Sequence, residues 1–290
     1  MTLDSSSSSI HSDTGTSNVS WPNERAPEAT WRPARPAPTP TSKPPPPTDA
    51  SNFPNGKKSL SGISIRAFLL GTTLGLSIFL AISLAWFASS PLWRVPFFLA
   101  SLALFHFLEF WVTAEYNTRL ASVSAFLLSS NGWAYNVAHG SAVVECIISY
   151  TFFPGSWYPN LTEPVPGIKV QVVIGVLLMV VGQVVRTLAM AQAGSNFNHT
   201  VQVELREGHQ LVKNGVYAFL RHPSYFGFFW WGLGTQLVLG NVVCFVGYAL
   251  VLWRFFSSRI QREERFLICF FGDEYVEYKK TTRVGIPAIP

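Results

Sequence analysis

Charge is scarce in this chain. Asp, Glu, Lys and Arg make up only 13% of its 290 residues, about half the roughly 25% of a soluble domain, which excludes an ordinary soluble globular enzyme. Cysteine is scarcer still. Cys146, Cys244 and Cys269, each in an apolar setting, exclude a disulfide framework and offer no zinc spacing. No basic stripe with interleaved aromatics exists outside the C-terminal end, so the net charge of +5 does not point to nucleic acid. What is plentiful is apolar: 48% hydrophobic and 14% aromatic residues, with a mean hydropathy of +0.25 despite a polar N-terminal stretch. A disordered scaffold and a collagen-like fibre are excluded as well, and the composition is that of a multispanning membrane protein.

Residues 1–62 hold eleven of the twenty prolines, including Pro44 to Pro47, and a serine run from Ser5 to Ser9. Their apolar residues (Trp21, Trp31, Phe53) follow no period. Such a segment cannot bury enough apolar surface to offset its ordering entropy and is expected to be disordered. It lacks the basic and apolar regions of a signal peptide. It reads as a docking tail with polyproline character or, more plainly, as an extension without chemistry. Residues 63–290 then form the membrane domain, with the chemistry-bearing region at 186–290.

A spanning helix needs about 20 mostly apolar residues. The charge-free run from Ala67 to Trp93 predicts a first helix over about 64–89; further helices are predicted over about 95–115, 133–153 and 168–190. Pro223 to Trp253 is uncharged but too long for one span, and Gly240-Asn241 interrupts it, which predicts two short, tightly joined helices. The fold class expected is therefore all-α and polytopic, with about six transmembrane helices. Lys57, Lys58 and Arg66 precede the first helix, and seven cations from Arg254 to Arg283 follow the last. By the positive-inside rule both termini face the cytosol, as does the 191–222 loop with Arg206, Lys213 and Arg221, while 154–167 faces the lumen with Trp157 and Tyr158 at the interface.

His106, Glu109, His139 and Glu145 lie inside predicted helices. They are either functional groups or interhelical hydrogen-bonding residues, the latter being the plainer reading. Gly71 and Gly75 fit a small-xxx-small helix-packing pattern. Asn160-Leu161-Thr162 is a formal glycosylation acceptor, expected to stay unmodified because the membrane is close on both sides.

The chemical information lies after residue 190. Pro223 suits the first turn of a helix, whose exposed N–H groups and dipole can hold a carboxylate. Arg221 and His222 add positive or donor character there, and His209 and Tyr217 add hydrogen-bonding groups in the same loop. The cluster reads as a receptor for a small, partly anionic ligand, or as a headgroup anchor. Arg259 and Glu263, four apart, share a helix face. They are a surface ion pair, or they divide the work: the Arg259 fork on a substrate carboxylate, Glu263 on a cationic amine. A membrane hairpin folds the two clusters together.

These residues resemble the isoprenylcysteine carboxyl methyltransferase family. The motifs G-S-N-F-N-H at 194–199, G-V-Y at 215–217, R-H-P-S-Y-x-G at 221–227, R-F-F-x-x-R-x-x-x-E-E at 254–264 and F-F-G-x-E-Y at 270–275 match in order and spacing. The R-H-P and E-E elements are shared with other membrane methyltransferases and sterol reductases; G-S-N-F-N-H and R-F-F narrow the match. The resemblance implies S-adenosyl-L-methionine as methyl donor and a C-terminal prenylated cysteine as acceptor, carried by proteins such as small GTPases, at the endoplasmic reticulum membrane. It implies a cytosolic cofactor site made by the loop before the fifth helix and the C-terminal helix. Cofactor-binding residues would be Gln202, His209, Gln210, Leu211, Val212, Tyr217, His222, Pro223, Ser224, Tyr225 and Glu263. Arg259 would be the catalytic residue that faces the substrate carboxylate. The chain departs from the pattern in its long N-terminal tail and at Ala288, where an aromatic is usual. A carboxylate is already ionised at neutral pH, so its methylation needs positioning more than a strong base, in keeping with the lack of a nucleophile motif or metal site. A phospholipid amine methyltransferase, a nicotinamide-dependent sterol reductase and a non-enzymatic receptor or transporter are the competing expectations. Arg259 disfavours the amine acceptor, and the lack of an internal repeat disfavours the transporter.

Overall fold

The computed structural model describes residues 49–128, 130–153, 169–205 and 207–290. The proline-rich stretch before them, the 154–167 loop with Trp157 and Tyr158, the Asn160 acceptor and Arg206 lie outside the described residues. Those described form seven α-helices joined by short 3-10 turns. Among them there is no strand, only an isolated bridge between Leu220 and Arg283.

Helix α1 (Leu60–Trp86) starts four residues earlier than the charge pattern predicts, because Ser59 caps it by accepting from Gly62 N at 3.1 Å. Residues 49–59, expected in the disordered tail, form a 3-10 turn capped by Asp49 and a link in which Val123 N donates to Lys57 O at 2.9 Å. Then follow α2 (Arg94–Tyr116), α3 (Gly132–Phe152) and α4 (Val170–Ala193). The long uncharged run does break where expected, into α5 (Pro223–Leu239) and α6 (Val243–Phe271). Gly240 takes a left-handed conformation, φ 78°, that closes α5, and the buried Asn241 side chain bonds Ala142 O and Gln236 Oε1, each at 2.9 Å. A short α7 (Asp273–Thr281) was not legible as a separate element. By length and composition α1, α2 with its preceding turn, α4 and α6 can each cross a membrane.

Four intramembrane groups resolve into interhelical bonds. His106 Nδ1 pairs with Phe126 O at 2.8 Å and its Nε2 with Tyr135 OH at 3.0 Å. His139 pairs with Tyr248 OH. Glu145 accepts from the first N–H groups of α6, at Val242, Val243 and Cys244, within 2.7–2.8 Å, which serves both its charge and the helix end. Glu109 meets Arg186 and belongs to the site below.

The expected packing role of Gly71 and Gly75 is corrected: a Cβ at either would meet nothing within 4 Å. The buried face of α1 is Leu70, Ser77 and Ala81, about a third of a turn away at 100° per residue. Close glycine packing occurs instead between α4 and α5. A Cβ on Gly182 would lie 2.5 Å from Gly227 O, and one on Gly175 would lie 2.8 Å from Gly234 O. The two helices touch backbone to backbone at both points, which carries the N-terminus of α5 alongside the end of α4.

The C-terminal segment returns under the α5–α6 hairpin. Arg221 N and Arg283 O bond at 3.0 Å, Trp230 Nε1 reaches Gly285 O at 3.1 Å, and Val284, Ile286 and Ile289 join Phe229, Leu233, Phe256 and Ile260 in one apolar cluster.

Candidate active site

The close α4–α5 approach and the continuation of α6 past the hairpin bring three segments to one place. These are the loop after α4, the first turn of α5, and the α6 stretch from Arg259 onward. Gly215 makes the turn before α5 possible. Its φ is 59°, and any Cβ would sit 2.3 Å from Gln192 Oε1; that oxygen instead accepts from Val216 N at 2.8 Å. Tyr217 is fixed from both sides, its hydroxyl donating to Ala189 O at 3.2 Å and its carbonyl accepting from Tyr278 OH at 2.7 Å. Burial and the nearby Glu263 push the Tyr217 phenol well above its usual range, so it is a neutral donor.

One pocket results, and all eleven residues expected to hold a cofactor line it: Gln202, His209, Gln210, Leu211, Val212, Tyr217, His222, Pro223, Ser224, Tyr225 and Glu263. Asn196, Asn198, Leu267, Phe270, Phe271 and Tyr275 are also part of the wall. Asn196 ties the loop together by accepting from Gln210 N at 3.0 Å.

Arg259 stands one helical turn before Glu263 and joins this pocket through one hydroxyl. Arg259 Nε donates to Tyr225 OH at 2.7 Å, and Tyr225 OH donates to Glu263 Oε2 at 2.6 Å. Arg259 Nη2 also donates to the His199 carbonyl, and its guanidinium lies over the Tyr225 ring at 5.3 Å. The two charges therefore do not pair with each other as a surface i, i+4 pair would. The phenol between them keeps them apart and each oriented.

Arg221 is placed differently from its expected role. It lines the pocket, yet its guanidinium is committed: Nε donates to Glu264 Oε1 at 2.6 Å, Nη1 to Thr282 O at 2.9 Å, and Nη2 to Pro290 O. Glu264 also meets His222 Nε2 at 3.3 Å and Lys279 Nζ. Positive charge that the sequence suggested for a ligand is thus neutralised by Glu264, and Arg221 anchors the C-terminal segment. His222 instead presents its ring face, stacked on Tyr225 with centroids 5.5 Å apart.

Under the pocket lie Arg186 and His199, which had no role read from the sequence, and Glu109, read only as a functional or an interhelical group. Glu109 and Arg186, on α2 and α4, form a bidentate buried pair, with Nη2 to Oε2 at 2.7 Å. Arg186 Nη1 donates to Ser224 Oγ at 2.8 Å. His199 Nδ1 stands 3.8 Å from Glu109 Oε2; burial outweighs that carboxylate and lowers the His199 pKa to about 4, so it is neutral at pH 7. Arg186 and His199 do stand in the motif-rich stretch, but a partner 77 positions away in α2 leaves no local signal. Among the described residues, no group of three or more His, Cys, Asp or Glu is placed to hold a metal.

A family model described as the isoprenylcysteine carboxyl methyltransferase family matches residues 174–269. A protein-S-isoprenylcysteine O-methyltransferase of Saccharomyces cerevisiae is 40% identical over 242 residues, 83% of this chain and 97% of the relative. The human protein of the same name is 43% identical over 227 residues, 78% of this chain and 75% of the relative. Among solved structures, that of the eukaryotic intramembrane Ras methyltransferase, isoprenylcysteine carboxyl methyltransferase, superposes with a TM-score of 0.70 at 37% identity, covering 79% of this chain and 77% of that one. With the helices, the pocket and these likenesses in agreement, the chain belongs to the isoprenylcysteine carboxyl methyltransferase family.

Proposed function

We propose that this protein methyl-esterifies the C-terminal carboxylate of prenylated cysteine on processed proteins, small GTPases among them, with S-adenosyl-L-methionine as donor. The observation that carries the reading is the chain Arg259–Tyr225–Glu263, a cation and an anion held apart by one phenol at the edge of a single pocket.

The pocket's chemistry fits the donor. Glu263 offers a carboxylate to an amino group. The first turn of α5, begun by Pro223, offers the Ser224 N–H and the positive end of the helix dipole to a carboxylate, Tyr225 N and Phe226 N being engaged by the His222 carbonyl. Phe270, Phe271 and Tyr275 offer aromatic surface to a purine. When bound, the donor supplies an electrophilic methyl on a sulfonium, which a carboxylate oxygen accepts with no proton to move. The residues of this chain then bind and align. Arg259, held at two of its nitrogens, directs its fork at the acceptor carboxylate and fixes the attacking oxygen. Alignment of this kind is worth as much as about 7–11 kcal/mol of barrier in well-oriented systems. The prenyl chain enters laterally from the bilayer and the donor from the cytosol. That geometry goes with six spans, α3 and α5 being counted with the four longer helices, with both termini cytosolic and with residence in the endoplasmic reticulum.

The test uses membranes containing the full chain, radiolabelled S-adenosylmethionine and a minimal S-farnesylcysteine acceptor. Base-labile methyl ester is expected with the wild type and lost in both Arg259→Ala and Glu263→Ala at normal membrane levels. Label in phosphatidylethanolamine, with none on the prenylated acceptor, would replace this reading with a lipid amine methyltransferase.

A further inference from the structure

Two charges in the interior do no chemistry in the reading above. Glu109 and Arg186 are 1% and 7% exposed and satisfy each other through two parallel hydrogen bonds. A buried ion pair is a weak source of stability, since apolar residues of similar volume often do as well or better. Its geometry, however, is well defined, and what surrounds it is the site.

Two lines of contact leave the pair. Along the first, Arg186 reaches Ser224 Oγ in the opening turn of α5, next to Tyr225. Along the second, Glu109 Oε2 faces His199 Nδ1 at 3.8 Å, and the His199 carbonyl accepts from Arg259 Nη2. Helix α2 grips the same loop a second time, two turns on, where Asn117 Nδ2 donates to Phe197 O at 2.9 Å. The main chain at 197–199 is thereby bonded to the end of α2 at the Phe197 carbonyl, with the His199 ring set against Glu109, and it supplies one of the two acceptors that orient Arg259. Tyr225 OH is the other. A planar guanidinium held at Nε and at Nη2 has only one direction left for its fork.

We propose that Glu109 and His199 are positioning residues for Arg259: the buried pair seats His199, and the His199 carbonyl sets the direction in which the Arg259 fork meets the acceptor carboxylate. The inference rests on the assignment of Arg259 to the acceptor. Neither Glu109 nor His199 touches the reacting atoms. Their effect is on the acceptor side of the kinetics, where a displacement of about 1 Å can cost on the order of 100-fold.

The experiment measures initial rates on membranes of the full chain, varying S-adenosylmethionine and the S-farnesylcysteine acceptor separately. The variants are His199→Ala, His199→Asn, the apolar pair Glu109→Leu with Arg186→Met, and Arg259→Ala for reference. His199→Ala is expected to lower kcat/KM for the acceptor roughly 10- to 100-fold with the donor KM within about twofold. His199→Asn, which keeps a polar side chain near the Nδ1 position, is expected to recover most of that loss. The apolar pair is expected to keep the wild-type melting temperature and still show the acceptor defect; only its acceptor kinetics are read, because Arg186→Met also frees Ser224. Wild-type acceptor kinetics in His199→Ala or in the apolar pair would overturn the inference. So would equal changes for both substrates, which a merely structural role produces. If Arg259→Ala abolishes acceptor use while His199→Ala leaves it at the wild-type level, the positioning idea alone falls. Intact acceptor kinetics in Arg259→Ala would remove the assignment on which it stands.

Discussion

Tyr225 joins two opposite charges, Arg259 and Glu263. Its hydroxyl takes a hydrogen bond from Arg259 and gives one to Glu263, and hydrogen bonds to charged groups contribute about 1.5–3 kcal/mol each. Tyr225→Phe keeps the ring stacked between His222 and Phe256 and removes only the oxygen. It is expected to reduce kcat/KM roughly 10- to 100-fold, one such bond by the usual conversion, at unchanged protein abundance; steady-state rates on membranes check this. Arg259 and Glu263 were legible as a pair on one helix face, because four-residue spacing is a local property. The phenol between them was not, since it comes from α5, 34 and 38 positions earlier. The same distance in sequence hides the pairing of Arg221 with Glu264, and so Arg221 read as a ligand group.

At the scale of elements, the contact between α4 and α5 decides where the site can form. Gly175 meets Gly234, and Gly182 meets Gly227, with backbone oxygens less than 3 Å from where a Cβ would be. Backbone cannot swing aside as a side chain can. Gly182→Ala is therefore expected to destabilise by about 1–3 kcal/mol, as overpacking does, and to shift the end of α4 away from the α5 N-terminus, with loss of methyl transfer. Gly71→Ala, with open space at its Cβ, is expected to be neutral or to stabilise by up to about 1 kcal/mol through helix propensity. Thermal unfolding of the detergent-solubilised variants separates the two. The motif spacing at Gly71 and Gly75 suggested the reverse. A small-residue pattern records that close approach is allowed, while the neighbour that makes the approach is chosen by the packing of the other helices.

At the scale of the whole molecule, the chain closes on itself. Its last residues pack under the hairpin that carries Tyr225 and Arg259, with Val284 1% and Ile286 3% exposed, and Arg221 holds the Thr282 and Pro290 carbonyls while pairing with Glu264. Deletion of residues 284–290 is expected to expose the apolar cluster of α5 and α6 and to leave Arg221 short of an acceptor. Loss of several kcal/mol follows from burying a charge without its full set of partners, and folded protein in detergent should fall sharply by size-exclusion chromatography. A truncated chain that remained folded and active would show that α5 and α6 hold the pocket by themselves.

The sequence alone determined the membrane class, the positions of α1 to α5 to within a few residues, the break at Gly240-Asn241 and, through the family resemblance, eleven of the residues that line the pocket. These depend on composition, on runs of about 20 apolar residues and on short motifs, all of them local in the chain. Tertiary structure alone decided which charges are free to act. Arg221 is engaged by Glu264, Glu109 by Arg186, and Arg259 is directed by Tyr225 and His199. Each of those partnerships spans 34 to 77 positions, and a charge buried in a low-dielectric interior is defined by whichever group packing brings beside it.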